Sequence, residues 1–452
     1  MEKYINAEIG AFTFFDVAHF YPVRHEMENT MITKSFNIAN GVELHYIETE
    51  KFKTNYFSFN FLAPLSRKKV HFNAMIPPIL MRACQKYPNQ ALINKRLQYL
   101  YSVDIDAKNT SFGEHQIFGM RVNMLNDKYT QGTDVTHETV DLLLEMIFNP
   151  YLVNGEFDSE FCEGEKTSLI DVIEAEVNNK GQYAVKRLMS EMCKDEVFGI
   201  SKMGEVEDVK KITPKSLYKA YKYALKSYKI QIYFVGKTNI DAVAEQFKAR
   251  FAGLERAPID IDEAPIKLTA NEVKEVTDVE KVNQGKLVLG FRTGYHYKEN
   301  EYHLLQLFNE VFGGSPTAKL FLNVREKMSL CYYCRSIINQ KNGIMIVSSG
   351  IESGNKEIAK DAILAQLEAI KNGDITDEEL LNAKKSIKNG FLSVYDGAES
   401  LEAWAFYRGL CGISTTPDKE IAKIENTTVE DIQRIAKRIT LDTVYFLTGE
   451  EK

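Results

Sequence analysis

Metal chemistry needs clustered ligands, and the eight histidines of this chain, His19, His25, His45, His71, His115, His137, His296 and His303, are dispersed. No two stand at i,i+3 or i,i+4, the spacings that place two imidazoles on one helix face. The six cysteines are equally scattered, and Cys331-x-x-Cys334 is the one knuckle-like spacing. It has no second Cys or His pair close by, and on an extended strand its thiols point to opposite faces. Both read as free thiols of a reducing compartment, and no metal site is expected. Glu114-His115 has the types of an acid/base pair, but it reads as part of a solvated loop or strand. Gly313-Gly314 lacks the Lys-Ser/Thr of a phosphate loop and the glycine spacing of a dinucleotide turn. Tyr218, Tyr221, Tyr223 and Tyr228, interspersed with lysines, read as a packed helix face whose ammonium groups stay in water.

The elements that must position these groups belong to an ordinary globular chain. It has 452 residues, 44% apolar and 26% charged, with a net charge of −7. That length suggests two to four domains, or one architecture built from repeated units. With no Lys/Arg block, a surface that tracks nucleic-acid phosphates is not expected. Residues 1–27 lack a basic region followed by a long apolar run, and His19, Arg24 and His25 interrupt them. No stretch reaches the roughly 18 apolar residues of a membrane span. The expectation is a cytoplasmic protein with no membrane contact.

The chain repeats one pattern. A strand-like run at 56–65 (YFSFNFLAPL) leads into a helical stretch at 72–86, as 286–295 (KLVLGFRTGY) leads into 302–312. Residues 135–148 correspond to 355–371, both with apolar residues at three- and four-residue spacing. Asn149-Pro150 and Asn372-Gly373 stop these helices, and Asp158 and Thr376 then sit where an N-cap belongs. A helix at 212–224 with a strand at 230–236 (IQIYFVG) is matched by 428–439 with 443–449 (TVYFLTG). Pro258, Pro265 and the acidic residues of 255–269 mark a linker between domains 1–254 and 270–452. Strands and helices interleave without strict alternation, which favours an α+β fold with helices on one side of each sheet.

Around 312–334 the sequence FGGSPTAKLFLNVREKMSLCYYC sets a Gly-Gly-Ser loop before a helix at 317–328 and an aromatic strand. This resembles the second half of the M16 metallopeptidases, the insulinase, pitrilysin and mitochondrial processing peptidase family. The resemblance covers nearly the whole chain. It implies two tandem α/β rolls forming half of a pseudo-symmetric clamshell. It also implies that Arg325 and Tyr332, at the family's seven-residue spacing, reach substrate at a zinc site, with Gly313, Gly314 and Ser315 as a substrate-contacting loop. A guanidinium can hydrogen-bond a peptide carbonyl, and a phenol can donate to the oxyanion formed when water adds. The competing reading pairs Arg325 with Glu326 on a helix surface and packs Tyr332 in a core strand.

The family's zinc helix carries His-x-x-Glu-His, in which two histidines bind zinc and the glutamate acts as base. Registered on Lys86-Tyr87-Pro88, the five positions are Ala74, Met75, Ile76, Pro77 and Pro78. Two consecutive prolines should make the helix start or break there. Further on, Glu165 fits the family's first glutamate and the zinc-binding position seven residues later is Val172, with Asp171 or Glu174 there if the register slips. The resemblance therefore implies a zinc-less subunit with no catalytic residues or cofactor of its own. Its expected partner is a zinc-bearing M16 sibling, as in bacterial pairs tied to elongation factor P modification or to maturation of modified peptides. The substrate would be a peptide or protein, and the chain alone could form homodimers. The alternative is a non-enzymatic scaffold that holds a peptide or protein in the same fold.

Overall fold

The computed structural model describes residues 31–299 and 301–449; His19, Arg24 and His25 lie outside them. The first half builds six strands into one sheet: β1 (Lys34–Ala39), β2 (Val42–Glu48), β3 (Thr54–Pro64), β4 (Asp104–Phe112), β5 (His115–Leu125) and β8 (Lys229–Gly236), in the order β1-β2-β8-β3-β5-β4. A short hairpin, β6 (Leu152–Val153) with β7 (Glu156–Phe157), stands apart. The second half builds five: β9 (Lys274–Val279), β10 (Gly285–Arg292), β11 (Cys331–Asn339), β12 (Ile344–Ile351) and β13 (Thr440–Thr448), in the order β11-β12-β10-β13-β9. Read from the other edge, this is the first sheet without β1. The one parallel pair of each sheet, β2 with β8 and β9 with β13, falls at the same place. The repeat read from sequence is thus a repeat of topology, and the fold is α+β with two tandem rolls.

The first-half helices are α1 (Val70–Arg82), α2 (Gln90–Tyr99), α3 (Val135–Phe148), α4 (Ser159–Ala175), α5 (Lys180–Met192), α6 (Val206–Lys210), α7 (Pro214–Ser227) and α8 (Ile240–Phe251). Those of the second are α9 (Tyr302–Asn309), α10 (Lys356–Lys371), α11 (Asp377–Ser393), α12 (Ala398–Leu410), α13 (Pro417–Glu425) and α14 (Val429–Ala436). The caps read from sequence are formed. Asp158 accepts from the backbone of Glu160 and Phe161, and Thr376 closes a capping box with Glu379.

The expectation of helices on one side of each sheet is overturned, because each half lends a helix to the other. On β3, Phe57, Phe59 and Phe61 face the helices of their own half, while the alternate residues Tyr56, Ser58 and Leu62 point the other way. There α12 covers them: Phe406 meets Tyr233 edge-on at 5.6 Å, and Ser58 Oγ donates to Glu402 Oε1 at 2.8 Å. Reciprocally, Ala184, Leu188 and Met192, at four-residue spacing on α5, cover Val288 and Tyr445 of the second sheet. Gly290 makes room for them, since a Cβ there would stand 2.6 Å from Met192 Sδ. A sheet apolar on both faces needs two covers, and its own half supplies only one.

A second correction concerns α1, which runs through Pro77 and Pro78 without ending. The two rings leave the carbonyls of Asn73 and Ala74 without their i+4 donors, and each interior proline costs about 3 kcal/mol. Burial offsets this. Val70, Met75, Ile76, Ile79 and Leu80 are buried, at about 1.5–3 kcal/mol for each large side chain. Tertiary packing outweighs local preference here.

Candidate functional site

The region around Arg325 and Tyr332 is organised by a β-bulge. On the pair β11–β12, Cys331 lies opposite Ile351 and Tyr333 opposite Gly350, so Tyr332 is an extra residue on its strand. Unpaired, its ring points outward and is 63% exposed, which excludes the core-strand reading. The bulge also reverses the expected facing of the two thiols. The extra residue restores even spacing, so Cys331 and Cys334 share a face and hydrogen-bond to each other. That bond, helped by the nearby Arg325 charge and opposed by burial, holds Cys331 below the ordinary thiol range; Cys334 is pushed up.

Arg325 sits on a wide helical segment, Leu320–Lys327, shorter than the helix expected over 317–328. Its Nε is 3.5 Å from Glu326 Oε1, and its guanidinium lies 4.5 Å from the Phe321 ring centroid. The surface ion pair of the competing reading is therefore present. With the side chain 39% exposed, such a pair contributes about 0–1 kcal/mol and leaves the guanidinium free to exchange partners.

Gly313 and Gly314 form a packed turn. They end a π-helical segment, Glu310–Gly314, that follows α9 directly. A Cβ on Gly313 would stand 2.9 Å from Ser336 N, and one on Gly314 2.5 Å from Asn309 Nδ2. Ser315 is buried, and its hydroxyl donates to Glu310 O at 3.1 Å. Both glycines line a cavity of about 350 Å³ between α9, α11, α12, β11 and the end of β4. Sequence reasoning missed Glu310, Gln306, Trp404 and Tyr407 in its wall, because α9 and α12 are far apart in the chain and nothing in either marks a cavity.

The positions expected from the resemblance to match the zinc motif fall on two helices that do pack together, α1 and α4. Arg82 at the end of α1 pairs with buried Glu165 on α4. Ala74 and Pro77 are buried, and Pro78 and Val172 half-buried, so the positions hold aliphatic side chains without a ligand atom. Asp171 and Glu174 are exposed. Among the described residues no group of three or more His, Cys, Asp or Glu could hold a metal. The donor set does not fit the zinc of the family.

Glu114-His115 is not solvated, contrary to the sequence reading. Glu114 Oε1 forms an ion pair with buried Lys341 Nζ at 3.2 Å and lies 3.3 Å from His115 Nδ1. Lys341 stands 3.8 Å from the Tyr297 ring centroid. Two hairpin tips, one from each half, meet there, and their charges leave water together because each neutralises the other. The tyrosine face of α7 packs as expected: Tyr221 OH donates to Ile147 O at 2.6 Å, and Lys222 lies 4.6 Å from the Tyr218 ring. Among the described residues no helix is long and apolar enough to cross a membrane.

Comparison with known proteins bears on this arrangement. Residues 211–387 match the family described as "Peptidase M16 inactive domain". A Bacillus subtilis protein described as "Probable inactive metalloprotease YmfF" is 36% identical over 414 residues, 91% of this chain and 96% of its own. The chain belongs to the M16 peptidase family. The crystal structure of a conserved protein from Enterococcus faecalis V583 matches this fold at TM-score 0.86 and 32% identity, over 94% of this chain and 100% of its own. An M16 inactive-domain structure from Pseudomonas fluorescens matches in fold at TM-score 0.71 and 16% identity, over 92% and 98%. The chain is thus an M16 homologue of the inactive type, similar to its relatives over nearly all of the residues given.

Proposed function

We propose that this chain is the zinc-less subunit of a heterodimeric M16 metallopeptidase, enclosing half of the chamber and lending Arg325 and Tyr332 to a zinc-bearing sibling's active site. The observation that carries the reading is the bulge at Tyr332. It turns a phenol out of a strand to 63% exposure, next in the chain to Cys331, whose thiol feels the charge of the half-exposed Arg325. Bulges characteristically re-aim one side chain next to a site. Leu322 on the Arg325 segment and Met328 just past its end are exposed apolar residues of the kind a partner-docking surface carries. Within a closed complex the guanidinium would bind a substrate carbonyl, and the phenol would donate to the oxyanion as it forms.

The test is Arg325→Ala in the purified two-chain complex. Peptidase turnover should fall by about 10²-fold or more, with the subunits still co-eluting, because the lost interaction is made in the transition state. Wild-type turnover in that variant would remove the role. Tyr332→Phe keeps the ring and removes the donor, so it should also lower turnover while leaving assembly unchanged.

A further inference from the structure

The cavity behind the Gly313-Gly314 turn contains an incomplete set of polar partners. Glu310 is 5% exposed, yet its Oε2 has no hydrogen-bond partner, and the same holds for Gln306 Oε1 in the same wall. Ser386 donates to the Glu310 carboxyl, and no Lys or Arg among the described residues pairs with it. An isolated buried carboxylate is costly unless a cation or several donors reach it. Burial accordingly lifts the Glu310 carboxyl above its ordinary range. The surrounding wall is aromatic: Tyr302, Phe391, Trp404 and Tyr407. A carboxylate and an amide oxygen, both unfilled in a wall rich in aromatic residues, match a primary ammonium on a short carbon chain. The volume, about 350 Å³, lies at the small end of ligand pockets, suited to one residue rather than a folded segment. Arg335 and Arg408 also line the cavity, Arg408 stacked 4.7 Å from Trp404, and they would favour carbonyl oxygens beside the ammonium.

We propose that this cavity binds the ammonium group of a peptide, either its amino terminus or a lysine side chain, at Glu310 and Gln306. The inference goes beyond the subunit reading and is tested on this chain alone, so either can fail without the other.

Trp404 is the sole tryptophan of the chain and lies in the cavity wall, so its fluorescence reports occupancy. The full chain is titrated with Nα-acetyl-lysine methylamide, which has only a side-chain ammonium, and with alanine methylamide, which has only an α-ammonium. Nα,Nε-diacetyl-lysine methylamide and propionate serve as controls. A saturable change with at least one amine and none with the controls is expected; the amine that binds more tightly identifies the source. Glu310→Gln, nearly isosteric, should weaken binding by about 10- to 100-fold, as loss of a charge-assisted hydrogen bond does. Gln306→Met, which keeps the volume, should weaken it by a smaller factor. No saturable change with either amine, equal response to the diacetylated control, or unchanged affinity in a folded Glu310→Gln protein would overturn the proposal.

Discussion

Replacing Arg292 by Met probes how the exchanged helix α5 is fastened to the second sheet. Arg292 is fully buried and donates to Glu196 through Nη1 and Nη2 at 3.0 and 2.6 Å, to Asp442 through Nε at 2.9 Å, and to Met192 O at 3.1 Å. Glu196 and Met192 belong to the first half of the chain, so one guanidinium joins the two halves. Breaking a buried ion pair from one side costs about 3–5 kcal/mol, because the remaining charges stay buried. Glu196 retains 15% exposure, and Asp442 keeps Lys267 Nζ at 3.4 Å, which together favour the lower end. The expected loss is about 3 kcal/mol, a large share of the roughly 5–15 kcal/mol by which such chains are stable. Urea unfolding followed by circular dichroism measures it, and limited proteolysis around residues 180–192 should accelerate in parallel. Arg292→Met combined with Glu196→Gln and Asp442→Asn should recover part of the loss, since it removes the stranded charges. A single variant within about 0.5 kcal/mol of the native midpoint, or a triple variant worse than the single, would refute the reasoning. The pH dependence has a definite sign. Burial pushes the Asp442 carboxyl up, but the Thr443 hydroxyl and Arg292 together pull it below its ordinary range. Its contribution is therefore present above the usual carboxylate pKa near 4 and lost as pH falls through the depressed value.

Other consequences are as direct. Gly119→Ala should prevent soluble folding or cost about 3 kcal/mol or more, read from expression and thermal melting, because its Cβ would lie 1.8 Å from Phe59 O at a φ of +159°. Pro78→Ala should raise the melting midpoint by returning an N–H to the Ala74 carbonyl on a half-buried helix face, a gain of about 2 kcal/mol once the entropy restored to the unfolded chain is set against the cost of an interior proline. Among the six buried cysteines, Cys331 should be alkylated first at neutral pH. Cys334→Ala should slow that reaction by removing the hydrogen bond that favours the thiolate, as mass spectrometry after timed labelling would show.

What could be read from the sequence was whatever is local or repeated. The apolar runs of β3 and β10, the caps at Asp158 and Thr376, and the paired helix–strand endings each depend on neighbours in the chain. The duplication and the α+β class were therefore visible. What failed depended on distant parts. Nothing in 180–192 or 398–410 says that these helices cross to the other sheet; the first is an ordinary amphipathic helix, and the second buries residues on more than one face. Strict alternation put Cys331 and Cys334 on opposite faces, and one extra residue in the ladder, set by pairing with β12, undid it. Glu114 looked solvated because Lys341, which neutralises it, comes from the other half. Pro77 and Pro78 looked like a helix end because the cost of proline is local and the compensating burial is not. At the positions registered on the zinc motif, the absence of donor atoms could be read directly, since a side chain without a donor atom stays so in any fold. The cavity at Glu310 could not.

The central claim, a zinc-less M16 subunit that completes a sibling's active site, is tested most directly by peptidase activity on a quenched peptide library. This chain alone, its zinc-bearing sibling alone, and their mixture are compared, with zinc determined on each. The account predicts activity in the mixture only, with zinc in the sibling. Equal activity of the sibling alone, or a stable complex that cleaves nothing, would contradict it and favour a binding or scaffold role.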